Sequence, residues 1–187
     1  MNPMPETTID QMLGHMAWAN ADLFGKLAAL TPEALAHTAP GSEWSVGAIA
    51  HHLATAAENY AQRLYGEPRA EKRELPASGA DIAALGAALA AADMRLRAAA
   101  PLPGAEIIQW ISFSGESLSV PRWVLINQAV HHATEHRAQI AGALAAHGIT
   151  SVDLDAIDVW TYNDERDRKS TRLNSSHTDI SRMPSSA

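Results

Sequence analysis

Four stretches of the chain repeat apolar residues at helical spacing, and a proline or glycine follows each of them. They cover residues 9–30, 46–65, 80–100 and 122–146. Helices of this length that carry one apolar stripe bury it best by packing against one another. The pattern therefore predicts an all-α fold, an up-down-type four-helix bundle.

The segment before the fourth helix has a different pattern. Residues 106–120 read EIIQWISFSGESLSV, in which apolar, aromatic and β-branched residues flank Ser114 and Gly115. Two such runs on either side of a glycine turn are typical of paired strands. We therefore predict a short β-hairpin directly before the last long helix.

The end of the chain does not continue this pattern. Residues 167–187 read DRKSTRLNSSHTDISRMPSSA. Both ends of this segment can be back-translated to the constant arms of a common sequencing adapter, with residues 178–180 in the place of the variable index. We interpret the segment as translated adapter and predict that it is disordered. The fold is then one domain, residues 1–166, and we expect a few native C-terminal residues to be missing.

The charge of this domain excludes one class of partner. The whole chain has 14 Lys and Arg and 21 Asp and Glu, of which the tail holds four and two, so residues 1–166 carry 10 basic and 19 acidic residues, a net charge of −9. An acidic domain offers no electrostatic basis for binding nucleic acid. The sequence also contains neither a membrane-spanning apolar run nor a secretory signal pattern. We expect a cytoplasmic protein with no nucleic-acid or membrane partner.

Helical geometry separates the histidines that face the core from those that face solvent. On the fourth helix, His132 and His136 lie one turn apart at the edge of the apolar face, and His131 points the opposite way. On the second helix, His52 lies beside the buried stripe and His51 lies further toward solvent. Three imidazoles from two helices are therefore expected to point inward.

Inward imidazoles need polar partners, and a divalent metal ion would provide one. Because the chain has no cysteine, a metal site must use histidine or carboxylate. A histidine pair at i, i+4 with a third histidine from a facing helix forms a three-nitrogen site. The alternative is that each histidine is a hydrogen-bonded residue at the edge of the core, and the spacing leaves both interpretations open.

A competing motif covers the same residues. Residues 132–136 match H-x-x-E-H, the pattern of the inverted zinc proteases, in which the glutamate activates a metal-bound water. That family takes a third ligand, a glutamate, from far downstream. Here Glu165 is the sole glutamate between His136 and the tail. We therefore disfavour the protease interpretation and expect Glu135 to face solvent.

Several motifs in order resemble the DinB/YfiT-like family of metalloenzymes, the damage-inducible DinB family. They are WAN at 18–20, EWSVGAIAHHL at 43–53, FSGESLS at 113–119, HHATEHRAQI at 131–140 and DLDAIDVWTY at 153–162. The resemblance implies a metal-binding four-helix bundle in which His52, His132 and His136 are the metal ligands. The sequence departs from the family pattern at positions 128, 131 and 135, none of which is a proposed ligand.

The resemblance also implies a function. It implies one divalent ion (zinc, nickel, iron or manganese), a low-molecular-weight thiol such as bacillithiol, mycothiol or glutathione, and a small-molecule substrate. The expected activity is that of a metal- and thiol-dependent transferase or hydrolase in bacterial detoxification or stress response. The alternatives are a non-catalytic metal-binding stress-response bundle and an interaction bundle with structural histidines. A homodimer is common in such families.

Other polar and aromatic residues receive structural roles. We expect Trp44 to lie in the core at the start of the second helix and Arg137 to pair with an acid or a helix terminus. The role of Gln139 is left open between contact with a metal-ligating residue and a structural role. Asn20 and Trp18 are expected to orient the first helix. Three further histidines are expected at the surface: His15, His37 and His147.

Overall fold

The protein is a helical bundle with one small hairpin. The computed structural model describes residues 7–69, 72–112 and 114–178, with side chains up to residue 168. Its helices are α1 (Thr8–Ala28), α2 (Pro32–Leu35), α3 (Val46–Leu64), α4 (Gly79–Ala99), α5 (Arg122–Ala145) and α6 (Val159–Thr178), and its strands are β1 (Ile107–Ile111) and β2 (Ser117–Pro121). The all-α fold with a hairpin before the last bundle helix is confirmed. The four predicted helices correspond to α1, α3, α4 and α5, which end within two residues of their predicted bounds.

Side-chain caps explain why the helices begin where they do. Thr7 and Asp10 form a reciprocal capping box at the start of α1, and the Ser45 hydroxyl accepts a hydrogen bond from the Ala48 backbone N–H at the start of α3. Ser78 caps α4 in the same way. Each such cap stabilises its helix by about 1 kcal/mol.

The arrangement of the bundle places α3 beside α5. Helices α1 and α3 each pack against both α4 and α5, so α1 and α3 lie across the bundle from each other. The bundle centre is filled by fully buried side chains from all four helices, among them Leu13, Met16, Leu23, Leu27, Leu53, Ile82, Leu89, Leu96, Ile140 and Leu144. The contact between α3 and α5 brings the second and fourth predicted helices together, and with them their inward histidines.

The hairpin packs against the bundle, β1 on α3 and β2 on α5. Strands β1 and β2 pair antiparallel, with Ile108 opposite Val120, and Gly115 in the turn has a φ of 84°. That backbone conformation is available to glycine with little strain. The predicted hairpin is therefore confirmed, although Phe113 of its motif lies outside the described residues. None of the described helices has the length and apolarity needed to cross a membrane.

A buried polar cluster joins α1, α4 and α5. The Asn20 side-chain amide donates to the Asp93 carboxylate at 2.9 Å, and the Arg137 guanidinium donates to the Asn20 oxygen at 2.8 Å. Burial raises the pKa of Asp93 to about 6 and lowers the pKa of Arg137 to about 10. Both groups are therefore charged at neutral pH and compensate each other through the amide. Asn20 orients α1, as expected, and Arg137 reaches its acid through Asn20.

The first part of the predicted tail is helical in the structure, and the domain boundary at residue 166 stays a prediction. Helix α6 continues through Thr178, well past residue 167. No proline or glycine occurs between Val159 and Thr178, so nothing in the sequence stops a helix that begins in the native part. Residues 179–187 lie outside the described residues, and the adapter origin of the tail stays a prediction.

Replacing Asp93 with alanine tests the buried cluster. The change leaves the Arg137 guanidinium buried without its carboxylate, so we expect the free energy of unfolding to fall by about 3–5 kcal/mol in urea denaturation. Glu67→Ala is the control, because the Glu67 carboxylate that pairs with Arg95 is exposed, and this pair should contribute less than about 1 kcal/mol. Equal losses in the two variants would contradict this role of Asp93.

Candidate metal centre

The three predicted ligands converge on one point between α3 and α5. The Nε2 atom of His132 lies 3.0 Å from Nε2 of His52 and 3.0 Å from Nε2 of His136. One ring nitrogen from each residue lies within 4.8 Å of those of the other two, close enough to hold a metal ion. His132 and His136 are buried and His52 is half-buried.

Helical spacing produces this convergence. One turn of α5 separates His132 from His136, so both rings project from the same face of the helix, toward α3. His131 is exposed, as predicted from its angle on the helix. His51 is half-buried and its ring contacts the Arg73 backbone carbonyl at 3.0 Å, away from the three clustered rings.

A neighbouring amide fixes the protonation of one ring. Nδ1 of His136 lies 2.7 Å from the side-chain oxygen of Gln139, and because that oxygen can only accept, Nδ1 carries the proton. In the neutral ring, Nε2 of His136 then presents a lone pair toward the other two histidines. This contact decides the role that the sequence left open for Gln139: it orients His136.

Burial favours the neutral form of the other two rings. Burial, with the nearby His136 and His52 rings, lowers the pKa of His132 to about 4. Burial also lowers the pKa of His52, helped by the neighbouring His136 and His51 rings. Neutral imidazoles are the form that binds metal ions.

Hydrogen bonds among the three rings cannot satisfy all three nitrogens. In the neutral His136 ring with its proton on Nδ1, Nε2 has no proton, and Nε2 of His132 faces both neighbours at 3.0 Å. If Nε2 of His132 carries a proton, this N–H can be donated with good geometry to only one of the two neighbouring rings. If Nε2 of His52 also carries a proton, its N–H points at the N–H of His132. A cation bound to three lone pairs leaves no such conflict, so the donor set fits a divalent metal.

Trp44 does not lie in the core, contrary to our prediction. Its side chain is 46% exposed, and its indole lies 4.9 Å from the His52 ring and 6.4 Å from the His136 ring, nearly parallel to the latter. The residue precedes Ser45, the N-cap of α3, so it lies in a loop and not on the apolar stripe of the helix. It covers one side of the histidine cluster.

A cavity of about 370 Å³ opens beside His136 and Trp44. The remaining lining residues are Ala39, Ser42, Ile49, Gln139 and Gly142. Because His136 forms part of its wall, a molecule in this cavity would lie next to one of the three clustered histidines.

Tyr60 is a neighbour of the site that sequence reasoning missed. Its ring meets the His132 ring edge-on at 5.7 Å, and burial raises the pKa of its hydroxyl, while a hydrogen bond with Gln128 acts in the opposite direction. The spacing held a signal, since Tyr60 follows His52 by eight residues and so lies near the same face of α3.

The remaining predicted residues lie apart from the cluster. Glu135 is exposed, as expected, and in the described part of the chain no carboxylate joins the three histidines. Trp18 packs against the His15 ring. His147 is exposed and stacks on His37 at 3.8 Å. His15 and His37 are half-buried, so their predicted surface positions are only partly correct, because each ring packs against another aromatic ring.

Comparison with protein-family models gives a match. The sequence matches the family model described as the DinB family over residues 4–168. The chain belongs to the DinB family. The family assignment that the sequence motifs predicted is therefore confirmed.

A solved structure shares the DinB fold. The crystal structure of a DinB-like protein from Bacillus cereus ATCC 10987 matches with a TM-score of 0.58 and 22% sequence identity. The match covers 80% of this chain and 98% of that chain. At this identity the likeness shows the fold alone. A search among curated proteins gives no match.

The lowered pKa of His132 predicts how stability changes with pH in metal-free protein. A histidine in the unfolded chain titrates near pH 6.5, whereas His132 in the folded protein titrates near 4. Between these values the unfolded chain binds more protons, so the free energy of unfolding falls as the pH falls. Between pH 7 and pH 4.5, we expect the free energy of unfolding of His132→Gln to fall by roughly 1–2 kcal/mol less than that of the parent protein.

Urea denaturation across this pH range measures the effect, with His131→Gln as the matched control. His131 is exposed and should leave the pH dependence unchanged. Asp93, whose raised pKa acts in the opposite direction, is present in all three proteins and cancels in the comparison. Identical pH profiles for His132→Gln and the parent protein would contradict the buried, neutral state of His132.

Proposed function

We propose that this DinB-family protein binds one divalent metal ion through His52, His132 and His136 and acts as a metal- and thiol-dependent transferase or hydrolase. The observation that carries the proposal is the convergence of three Nε2 atoms with distances of 3.0 Å from His132 to each of the other two. Three-histidine sites that leave a coordination position open are typical of catalytic metal centres.

The residues fit several metals and the chemistry that such metals supply. Imidazole ligands suit zinc, nickel and iron, and manganese is compatible with the same geometry, so the donor set does not select one ion. A bound divalent metal lowers the pKa of a thiol or water at its open position and so supplies a nucleophile at neutral pH.

The chain's own residues have separate tasks in this proposal. Gln139 holds His136 in the tautomer that presents Nε2 to the centre. Trp44 covers the cluster and restricts the access of water from its side. The cavity beside His136 receives a small-molecule substrate, and its position next to the ligands supports a reaction at the metal centre.

The thiol must come from outside the chain. The sequence has no cysteine, so a thiolate nucleophile has to be a small molecule of the bacillithiol, mycothiol or glutathione type. Such thiols stay reduced in the cytosol, which is the compartment that we propose for this protein. We also propose a bacterial origin, a detoxification role, and a small molecule, not nucleic acid, as the partner. Association into a homodimer belongs to the same proposal.

One observation favours a second candidate. Among the described residues no carboxylate stands with the three histidines, so no Asp or Glu is placed to transfer protons at the centre. A metal-binding bundle that acts in stress response by binding alone would need no such group. The two candidates share the metal site and differ in turnover.

Metal content and thermal stability test the shared part of the proposal. We expect protein purified without added metal and then loaded with Zn²⁺ to hold one ion per chain, measured by inductively coupled plasma mass spectrometry. At 100 times the dissociation constant, the ion should add about 2.7 kcal/mol to the free energy of unfolding.

His52→Ala and His136→Ala should abolish both effects, and His131→Ala, on the exposed side of α5, should keep them. Less than one ion per five chains in the parent protein, or full loading of His136→Ala, would overturn the metal site.

Turnover separates the two candidates. We expect metal-loaded protein to accelerate the loss of glutathione, bacillithiol or mycothiol in the presence of 1-chloro-2,4-dinitrobenzene, and His52→Ala to remove the acceleration. Metal-loaded protein that leaves all three thiols at the uncatalysed rate would contradict the transferase and support the non-catalytic role.

A further inference from the structure

The cavity beside His136 differs from the rest of the site in its lining. Among the described residues that form its wall, none is Lys, Arg, Asp or Glu. Trp44, Ile49, Ala39 and Gly142 supply mostly apolar surface. A charged ligand would lose its hydration there without a compensating ion pair, whereas an uncharged apolar group would not.

One residue that lines this cavity retains a hydrogen-bond donor. The side-chain oxygen of Gln139 accepts the proton of His136 Nδ1, which leaves the NH₂ group of the same amide as a donor. Within the described residues, that NH₂ group has no acceptor. The Ser42 hydroxyl is turned toward the backbone of Trp44, where it accepts from the N–H at 3.1 Å and donates to the carbonyl oxygen at 3.5 Å. The donor that remains for a ligand is therefore the Gln139 amide.

Trp44 provides a flat surface at the same place. Its indole is 46% exposed although it is the largest side chain in the loop, and it lies between solvent and the rings of His52 and His136. Exposed tryptophan gains free energy when a planar ligand covers its face. A ligand stacked on Trp44 would also lie close to the histidine cluster.

We infer that this cavity is the subsite for the electrophilic substrate, and that it selects an uncharged, planar molecule that carries a hydrogen-bond acceptor, such as an aromatic or conjugated carbonyl compound. Trp44 contacts the plane of the molecule and the Gln139 NH₂ group donates to its oxygen. The inference rests on the proposed function in treating the bound molecule as a substrate. Binding of that molecule in the cavity needs no metal. Glutathione and bacillithiol carry carboxylates, for which this uncharged lining offers no ion pair, so the inference places these thiols outside the cavity.

Binding of a simple probe to metal-free protein tests this subsite. Benzamide is planar and uncharged and carries a carbonyl acceptor. We expect it to shift the ¹⁹F resonance of Trp44 saturably in protein labelled with 5-fluorotryptophan, with the resonance assigned by Trp44→Phe. Benzoate and benzylammonium, which match benzamide in size and carry opposite charges, should bind at least about tenfold more weakly.

Two glycines on bundle helices offer a matched pair of blocking variants. An added side chain at Gly142 meets no atom within 4 Å of its Cβ, and Gly142 lines the cavity. Gly25 on α1 is equally unobstructed and is not among the residues that line the cavity. We expect Gly142→Leu to abolish the benzamide shift and Gly25→Leu to keep it, while both variants fold, since leucine favours a helix more than glycine does.

Gln139→Glu separates the donor from the support of His136. The new carboxylate still accepts from His136 Nδ1 but offers no N–H, so benzamide affinity should fall roughly 5- to 10-fold, while Zn²⁺ content stays at the level of the parent protein. Trp123→Phe, at an exposed tryptophan on the first turn of α5, should change neither.

The outcomes distinguish this inference from the proposed function. Saturable benzamide binding at Trp44 in a protein that takes up no metal would support the subsite and overturn the metal centre. Metal binding without a Trp44 shift, equal binding of benzamide and benzoate, or an unaltered shift in Gly142→Leu would overturn the subsite and leave the metal centre standing.

Discussion

The hydrogen bond from Arg137 to Asn20 fixes the rotation of α5 within the bundle, and the histidine cluster depends on that rotation. Arg137 follows His136 directly, so the two side chains leave the helix about 100° apart. With the guanidinium held between α1 and α4 by Asn20 and Asp93, the His132 and His136 rings must face α3. The buried Arg137 guanidinium can be accommodated in few positions. It therefore sets the direction of the His132 and His136 side chains, although it is not part of their cluster.

Within the histidine cluster, too, residues of one helix act on one another. Gln139 lies one turn after His136 and fixes its tautomer, so a single helix supplies two ligands and the residue that prepares one of them. Helix α3 contributes His52, and the loop before it contributes Trp44. The result is a centre with three imidazole donors on one side and an apolar cavity on the other. Hydrogen bonds among the rings alone would leave one nitrogen without a partner, which is the physical argument for a cation.

Much of this architecture was predictable from local chemistry. Caps such as Ser45 fix where a helix begins, and helical angles assigned the inward direction to His52, His132 and His136 and the outward direction to His131. Caps and helical angles both depend on residues that are close together in the chain, so they can be identified in a single sequence. The family motifs selected the same three histidines, and the structure brings those three together.

What the sequence did not predict involves contacts between distant segments. Trp44 lies in a loop, where helical periodicity gives no direction, and only the packing of α3 against α5 shows that it covers the cluster. The bond between Asn20 and Asp93 spans 73 positions, and composition alone gives no reason to pair them. The helical start of the tail was missed because its composition suggested disorder, although it contains no helix-breaking residue before Thr178.

The most direct test of the central claim is the anomalous diffraction of a crystal of the Zn²⁺-loaded protein, with data collected on both sides of the zinc absorption edge. We expect one strong peak about 2.0–2.1 Å from the Nε2 atoms of His52, His132 and His136, with the Gln139 oxygen still bonded to His136 Nδ1. A fully loaded crystal whose anomalous peak lies away from these three rings would contradict the account.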